Sequence, residues 1–340
     1  MNTENKRNKL MEVQKELSFS GAFYAVKQDE VITGSNGFRN RAEKLRNQVD
    51  TRFGIASGCK LFTAIAVAKL VEMGKIAFDT KLKDCVTEEF PHFDKNITIH
   101  HLLTHTSGVP DYFDEEEMDD YEQLWESFPM YSVRTPKDFL PLFQHRKMEE
   151  RPGNTFQYNN SGYILLGLIV EQVAKCSFTS FVEKHIFDSA GMSGSGYFEM
   201  DDLPERTAIG YIEEPGDKWK TNIYSLPAKG GPDGGAYVTV ADMAKFWKAL
   251  MSYQLLSEEM TKEVLKSREC VDAEENIYYG YSGYMELDDN KDIIKYIQMG
   301  YDPGVNFRTV HYPSSERTII VCSNESEGAY ELLRVIERIL

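Results

Sequence analysis

Hydrophobic spacing changes character three times along this chain. Lys9 to Leu17 is amphipathic, and the following stretch, GAFYAVKQDEVITGSNGF, holds two apolar, β-prone runs split by the polar Gln28-Asp29-Glu30. Two such runs about a polar turn predict a hairpin. From Lys60 to Met73 apolar residues occupy nearly every face of a helical pattern, and Gly74 stands where a C′ glycine ends a helix. A helix that apolar belongs inside the protein. Between residues 82 and 225 helical patterns such as GYILLGLIVEQVAK alternate with mixed loops, and no run reads convincingly as a strand. Beyond about residue 230 strand-like segments return: NIYYGYSGYMEL, DIIKYIQMG, NFRTVHYP and RTIIVCSN, with turns at Asp288-Asp289-Asn290 and Pro313-Ser314-Ser315. The final GAYELLRVIERIL has helical spacing. Strands at both ends around a helical middle predict an α+β fold. Its antiparallel sheet is built from both chain ends and flanked by helices, with a mainly helical subdomain inserted. The expected division is residues 1–81 with 226–340 for the sheet part and 82–225 for the helical part, with a cleft between them.

Composition narrows the function classes. A chain of 340 residues, 41% apolar and 27% charged, can bury a substantial core. Its formal net charge of −16 argues against nucleic acid and anionic membranes, both of which need clustered Lys and Arg. The N-terminal MNTENKRNKLMEVQKELSFSG lacks the apolar segment of a signal peptide, and no apolar run is long enough to span a bilayer. A cytoplasmic protein without membrane insertion is the expectation. Five scattered cysteines form no CxxC pair and no disulfide framework, which suits reduced thiols. The acidic run DYFDEEEMDDYEQ from Asp111 reads as a solvated flap, since its carboxylates lack a calcium-loop spacing.

Candidate chemistry starts at FGIASGCKLFTA. Ser57 and Lys60 are three apart at the head of the buried helix, so the amine can reach the hydroxyl. A serine alcohol needs a base, and lysine serves once burial disfavours its charged form. The helix N-terminus favours negative charge beside it. The plainer reading makes Ser57 a helix cap. Cys59, two positions on, points off that face with no histidine beside it and reads as a structural thiol. Further along, Tyr158-Asn159-Asn160 immediately precedes an apolar helix. A phenol there can relay a proton, and an amide can hold a substrate carbonyl or position the lysine. Taken alone, the same residues read equally as a loop aromatic and an N-cap.

Six blocks in order resolve the ambiguity: FGIASGCKLFTA, ITIHHLLTHTSGVPDY, PGNTFQYNNSGYILLGLIVEQV, HIFDSAGMSGSGY, KGGPDGGAYVTVADMAKF and QMGYDPGVNF. Together they resemble the serine β-lactamase and penicillin-binding-protein-like hydrolases, in particular the class C β-lactamase, DD-carboxypeptidase and esterase branch. The resemblance spans residues 20 to 325 or so. It implies Ser57 as acylated nucleophile, Lys60 as proton acceptor, and Tyr158 with Asn160 as the second catalytic element. It also implies an oxyanion hole from the backbone N–H groups of Ser57 and Tyr301, the residue just past Gly300. A small-molecule substrate is implied, and no metal or organic cofactor.

The third block departs from that pattern. Where the family has Lys or His, a small residue and Gly, this chain has Gln298-Met299-Gly300. Gln carries no charge, so recognition of anionic β-lactams and peptide termini should weaken and small neutral esters or amides should be preferred. Arg308 is a candidate replacement cation and equally a solvated strand residue. DD-carboxypeptidase or β-lactamase activity is the second reading. The third is a non-catalytic ligand-binding or sensor protein on the same scaffold. His101 and His105 are four apart like zinc ligands on a helix, but no Glu follows the first and no third ligand is evident, so no metal site is expected. KGGPDGG lacks the Gly-Lys-Ser/Thr ending of a phosphate loop and runs into Thr239-Val240-Ala241-Asp242, which suits a capped helix start.

Overall fold

The computed structural model describes all residues except 1, 2, 114–117, 119–121, 127 and 217. Eight antiparallel strands form the main sheet: β1 (Gly21–Lys27), β2 (Glu30–Asn36), β3 (Glu269–Asp272), β4 (Ile277–Gly280), β5 (Gly283–Leu287), β6 (Ile293–Asp302), β7 (Val305–Tyr312) and β8 (Arg317–Ser323). Their spatial order is β2-β1-β8-β7-β6-β5-β4-β3. Strands from the two chain ends therefore pair inside the sheet, one strand in from its β2 edge, where Ala22 pairs with Cys322 and Tyr24 with Ile320. The expected hairpin is β1–β2, and Gln28 supplies its left-handed turn position at φ 54°. NIYYGYSGYMEL divides into β4 and β5 instead of forming one strand.

Five longer helices complete the frame: α1 (Thr3–Glu16), α2 (Lys60–Glu72), α3 (Asn160–Ala174), α4 (Val240–Met251) and α5 (Ala329–Ile339). On one sheet face the α1 residue Leu10 and the α5 residues Leu332, Leu333 and Ile336 bury against Phe23, Ile319 and Val321. On the other, the α4 residue Trp247 stacks on His311 at 5.3 Å and donates its indole N–H to Thr309 Oγ1 at 3.0 Å. Because both faces are covered, β8 is buried along six of its seven residues and carries the unbroken apolar run Ile319–Cys322.

Helix α2 is the axis of the second layer, and ten of its thirteen residues are buried. Phe62 meets the rings of Phe187 and Phe246 edge-on at 5.0 and 5.2 Å. Full burial of each such side chain contributes about 1.5–3 kcal/mol. Gly74 follows the C-cap Met73 at φ +68°, the C′ conformation that the pattern predicts. The stretch between 82 and 225 carries helices, as expected, and also a two-stranded ribbon, Tyr211–Glu214 with Lys218–Thr221, that the polar pattern concealed. Among the described residues no single helix is long and apolar enough to cross a membrane.

The chain enters α2 through a tight passage. Phe53–Gly54 pairs with Tyr237–Val238, Ile55 N–H donates to Ala236 O at 3.0 Å, and a 3-10 turn, Ala56–Cys59, precedes the helix. That turn lies against β6 and β7: a Cβ on Gly58 would come within 2.5 Å of the Phe307 ring. Gly58→Ala should therefore cost about 1–3 kcal/mol through overpacking. A urea titration checks it; an unchanged midpoint would show that the turn has slack.

Candidate active site

Ser57 sits within the 3-10 turn and Lys60 is the first residue of α2. The helix begins at Lys60, as its apolar pattern predicts, and the turn that carries Ser57 just before it is 3-10. A 3-10 turn eclipses residues three apart, which aligns the two side chains more closely than an α-helix does. Ala56, just before the serine, is held at φ +45°, a conformation costly for a residue with a Cβ. Lys60 is only 3% exposed. Its Nζ donates to Ser57 Oγ at 3.0 Å, to Asn160 Oδ1 at 2.7 Å and to the backbone O of Asp233 at 2.7 Å. Nζ also lies 4.9 Å from the centre of the Tyr158 ring. Three acceptors saturate the three N–H groups of an ammonium. Tyr158 is half-buried, with its ring 4.5 Å from that of His105. Asn160 is buried at the first position of α3, behind Lys60.

A cleft of about 1030 Å³ brings Ser57, Lys60 and Tyr158 together with Gln298, Gly300 and Tyr301. Glycine at 300 is required by close approach: a Cβ there would lie 2.0 Å from Ile55 O. The β5–β6 ladder ends at the Tyr284–Ile297 pair, so beyond it that edge of β6 is free of β5 beside the Ser57 turn. Gln298 is buried and its Nε2 donates to the Ser282 carbonyl, which ties the amide to backbone. Arg308, opposite Met299 across the β6–β7 ladder, lines the same cleft and donates to Met299 Sδ at 2.8 Å. It is half-buried, not a solvated strand residue.

A second cavity of about 800 Å³ shares Ser57 but neither Lys60 nor Tyr158. Phe139, Phe198, Met200, Leu226 and Tyr237 form its apolar walls, and Asp233 and Asp302 its ionisable ones. The KGGPDGG loop lies along it and wraps the turn from below, with Gly235 N–H donating to Ala56 O and Thr63 Oγ1 to Pro232 O. No phosphate cradle results. Thr239 caps α4 by accepting from Asp242 N–H at 3.1 Å, as the sequence suggests.

Several ionisable groups are buried around the lysine. Cys59 is fully enclosed, its Sγ–H directed to Gly231 O at 3.4 Å, and burial pushes the thiol up to about 12. That disposes of it as a thiolate. His105 is buried; its Nδ1 accepts from Asn159 N–H at 3.0 Å and its Nε2 meets Tyr279 Oη at 3.0 Å. Burial, with Lys60 nearby, holds the imidazole well below its usual range, so it is a neutral structural group. His101 caps the short helix Ile99–Leu103, accepting at Nδ1 from Thr98 N–H.

Asp111 is the residue that sequence reasoning missed. The acidic run beginning there was read as solvated, yet Asp111, Tyr112 and Phe113 are all buried; most of the run beyond them lies outside the described residues. The Asp111 carboxylate accepts from Asn160 N–H at 2.9 Å and Ser161 N–H at 3.0 Å. Tyr112 N–H in turn donates to Ser161 Oγ at 2.8 Å, and its phenol donates to the Asp233 carboxylate. Position alone could have flagged Asp111, since it closes the block THTSGVPD; the acids after it hid the signal.

Comparison with known proteins agrees with this fold and gives the family. The family model described as Beta-lactamase matches residues 8–329. Penicillin-binding protein 4* of Bacillus subtilis (strain 168) is 28% identical over 99% of this chain and 76% of its own length. The crystal structure of a penicillin binding protein from Bacillus halodurans is 52% identical, with a TM-score of 0.93 over 97% of this chain and all of that one. The D-amino acid amidase of Ochrobactrum anthropi SV3 shares the fold at a TM-score of 0.80 and 20% identity, over 99% of this chain and 98% of its own.

The buried carboxyl gives a signed pH expectation. Burial raises Asp111 to about 7, whereas an unfolded Asp titrates near 4. Between those values the native state binds more protons than the unfolded one, so this group's contribution to stability falls as the pH rises. The stability advantage of wild type over Asp111→Asn should shrink by on the order of a few kcal/mol from pH 4 to pH 7. Urea unfolding of both proteins across that range measures it; His105 is common to both and cancels.

Proposed function

Because the chain belongs to the β-lactamase family, whose members and structural neighbours are serine-hydrolase-type enzymes, we propose that it hydrolyses small neutral esters or amides through an acyl-enzyme on Ser57. The observation that carries the reading is the environment of Lys60 Nζ. A neutral amine has two N–H groups and one lone pair. Asn160 Oδ1 and Asp233 O, both at 2.7 Å, take the two N–H groups, and the lone pair is then left for the Ser57 hydroxyl at 3.0 Å.

The steps follow from that arrangement. The Ser57 O–H bond breaks as Oγ bonds the substrate carbonyl carbon, and the proton passes to Lys60 Nζ. Backbone N–H groups of Ser57 and Tyr301 hold the oxyanion. The bond to the leaving alcohol or amine then breaks, and Tyr158 relays the proton to it. Water attacks the acyl-Ser57 ester, releases a carboxylic acid and restores the hydroxyl. The cleft in this reading lies between a sheet part, residues 1–81 with 226–340, and a mainly helical part, residues 82–225.

Preference for uncharged substrates rests on two features. Gln298 is a neutral amide already bound to Ser282 O. The cavity beyond Ser57 is lined by apolar and neutral polar groups and two carboxyls, with no Lys or Arg among the described residues, which disfavours an anionic acyl group. The second reading, a DD-carboxypeptidase or β-lactamase, is favoured by one observation, the Arg308 guanidinium in the cleft wall. Arginine suits bidentate carboxylate recognition.

Intact mass after treatment with a fluorophosphonate tests the nucleophile. Wild type should gain one adduct and Ser57→Ala none; an unlabelled wild type would move the protein to the ligand-binding reading. For specificity, Gln298→Lys should raise β-lactam turnover relative to ester turnover. An unchanged ratio would sink the role given to Gln298.

A further inference from the structure

Lys60 depends on Asn160 presenting its oxygen and not its nitrogen, and an asparagine amide is nearly symmetrical in shape. Something must decide which end faces the lysine. Asn160 Nδ2 lies 3.3 Å from Asp111 Oδ2 and 3.3 Å from the Phe113 carbonyl, both acceptors without a proton to give when the carboxyl is ionised. Oδ1 faces Lys60 Nζ at 2.7 Å. Rotating the amide by half a turn would set NH₂ against the lysine N–H groups and oxygen against carboxylate and carbonyl. Both new contacts are repulsive, between side chains that are all buried.

We infer that Asp111 is the positioning residue of this site: by gripping the N–H groups of Asn160 it locks the amide with its oxygen on Lys60, and so sets the lysine against Ser57. The grip is over-determined. One carboxylate oxygen takes the Asn160 main-chain and side-chain N–H groups, and the other takes Ser161 N–H at 3.0 Å, Ser161 Oγ at 3.3 Å and Phe113 N–H at 3.5 Å. Asp111 is itself anchored, since its carbonyl accepts from Arg146 and its N–H donates to Glu149 Oε1 at 3.3 Å. Neighbouring contacts hold the same two segments together: Asn159 Nδ2 donates to Val109 O at 2.7 Å and Asn159 N–H to His105. At 4% exposure the carboxylate contributes almost nothing to the surface. Once ionised, above about pH 7, it also places negative charge at the N-terminus of α3, which stabilises that helix. A purely structural role would end there, so the test must separate the two.

The inference rests on acylation at Ser57, and the experiment keeps the two apart. Asp111→Asn swaps the carboxylate for an amide that can turn its own NH₂ toward Asn160. Its rate of fluorophosphonate inactivation should fall by about tenfold or more while KM for a neutral ester stays within about twofold, the signature of lost alignment and not lost binding. In an Asn160→Ala background the same substitution should add no further loss, because the group it acts through is gone. A folded Asp111→Asn protein that inactivates at the wild-type rate would overturn the inference, and so would a full additional loss in the Asn160→Ala background. Should Asp111→Asn fail to fold, wild-type protein with labelled asparagine decides: the Asn160 side-chain NH₂, assigned from Asn160→Ala, should exchange with solvent far more slowly than exposed asparagines. Exchange at the exposed rate would overturn the inference. If wild type forms no adduct, the acylation reading fails, while amide exchange still reports whether Asp111 pins Asn160.

Discussion

A lysine amine removed from water must have each of its polar positions partnered, and much of this site is the answer to that requirement. Burying such a group without partners is costly. Lys60 finds one partner on its own turn, Ser57, one on α3, Asn160, and one on the loop before α4, Asp233 O. The last two partners lie 100 and 173 residues from Lys60 in the chain. The geometry about Nζ therefore exists only once the helical layer and the glycine-rich loop are both docked on α2. Stability and reactivity are joined at this atom: the contacts that make burial tolerable are the ones that aim the amine at the serine.

Steric constraint supplies the other half. The Ser57 turn is pressed between β6 and the glycine-rich loop so closely that Gly58 and Gly300 have no room for a methyl group. Close packing of this kind fixes backbone amides in place, which is what a site that stabilises developing charge needs. The strained φ of Ala56 fits the same picture, since such a conformation persists only where surrounding contacts over-determine it. Buried groups around the lysine sort by role. Cys59 and His105 are held in neutral forms by burial, and Asp111 and Asp233 are carboxyls that donors enclose.

Much of the frame was legible from local pattern. The β1–β2 hairpin, the all-round apolar α2 with its C′ glycine and the Tyr- and Ile-rich C-terminal strands each satisfy a short-range rule that the fold does not override. The residues Ser57, Lys60, Tyr158 and Asn160 were visible too, as motifs at element junctions. Misreadings arose where local composition and tertiary environment disagree. The ribbon at Tyr211–Thr221 has too little apolar content to announce itself, and DYF at Asp111–Phe113 was read with the acidic residues that follow it. Gln298 looked like a cleft residue short of a charge; its amide is bound to Ser282 O, which only the β4–β5 turn brings near.

By itself the chain determined most of the segments that become strand or helix, that α2 must be interior, and which serine and lysine share a turn, because these depend on side chains within a few residues of one another. Tertiary structure alone decided what the lysine touches, that Arg308 and Met299 lie together on the cleft wall, and that Asp111 faces inward to hold Asn160. Those outcomes turn on hydrogen bonds between groups on different elements, 9, 49 and 100 residues apart. Their energies depend on water being excluded, and exclusion is a property of the packed whole.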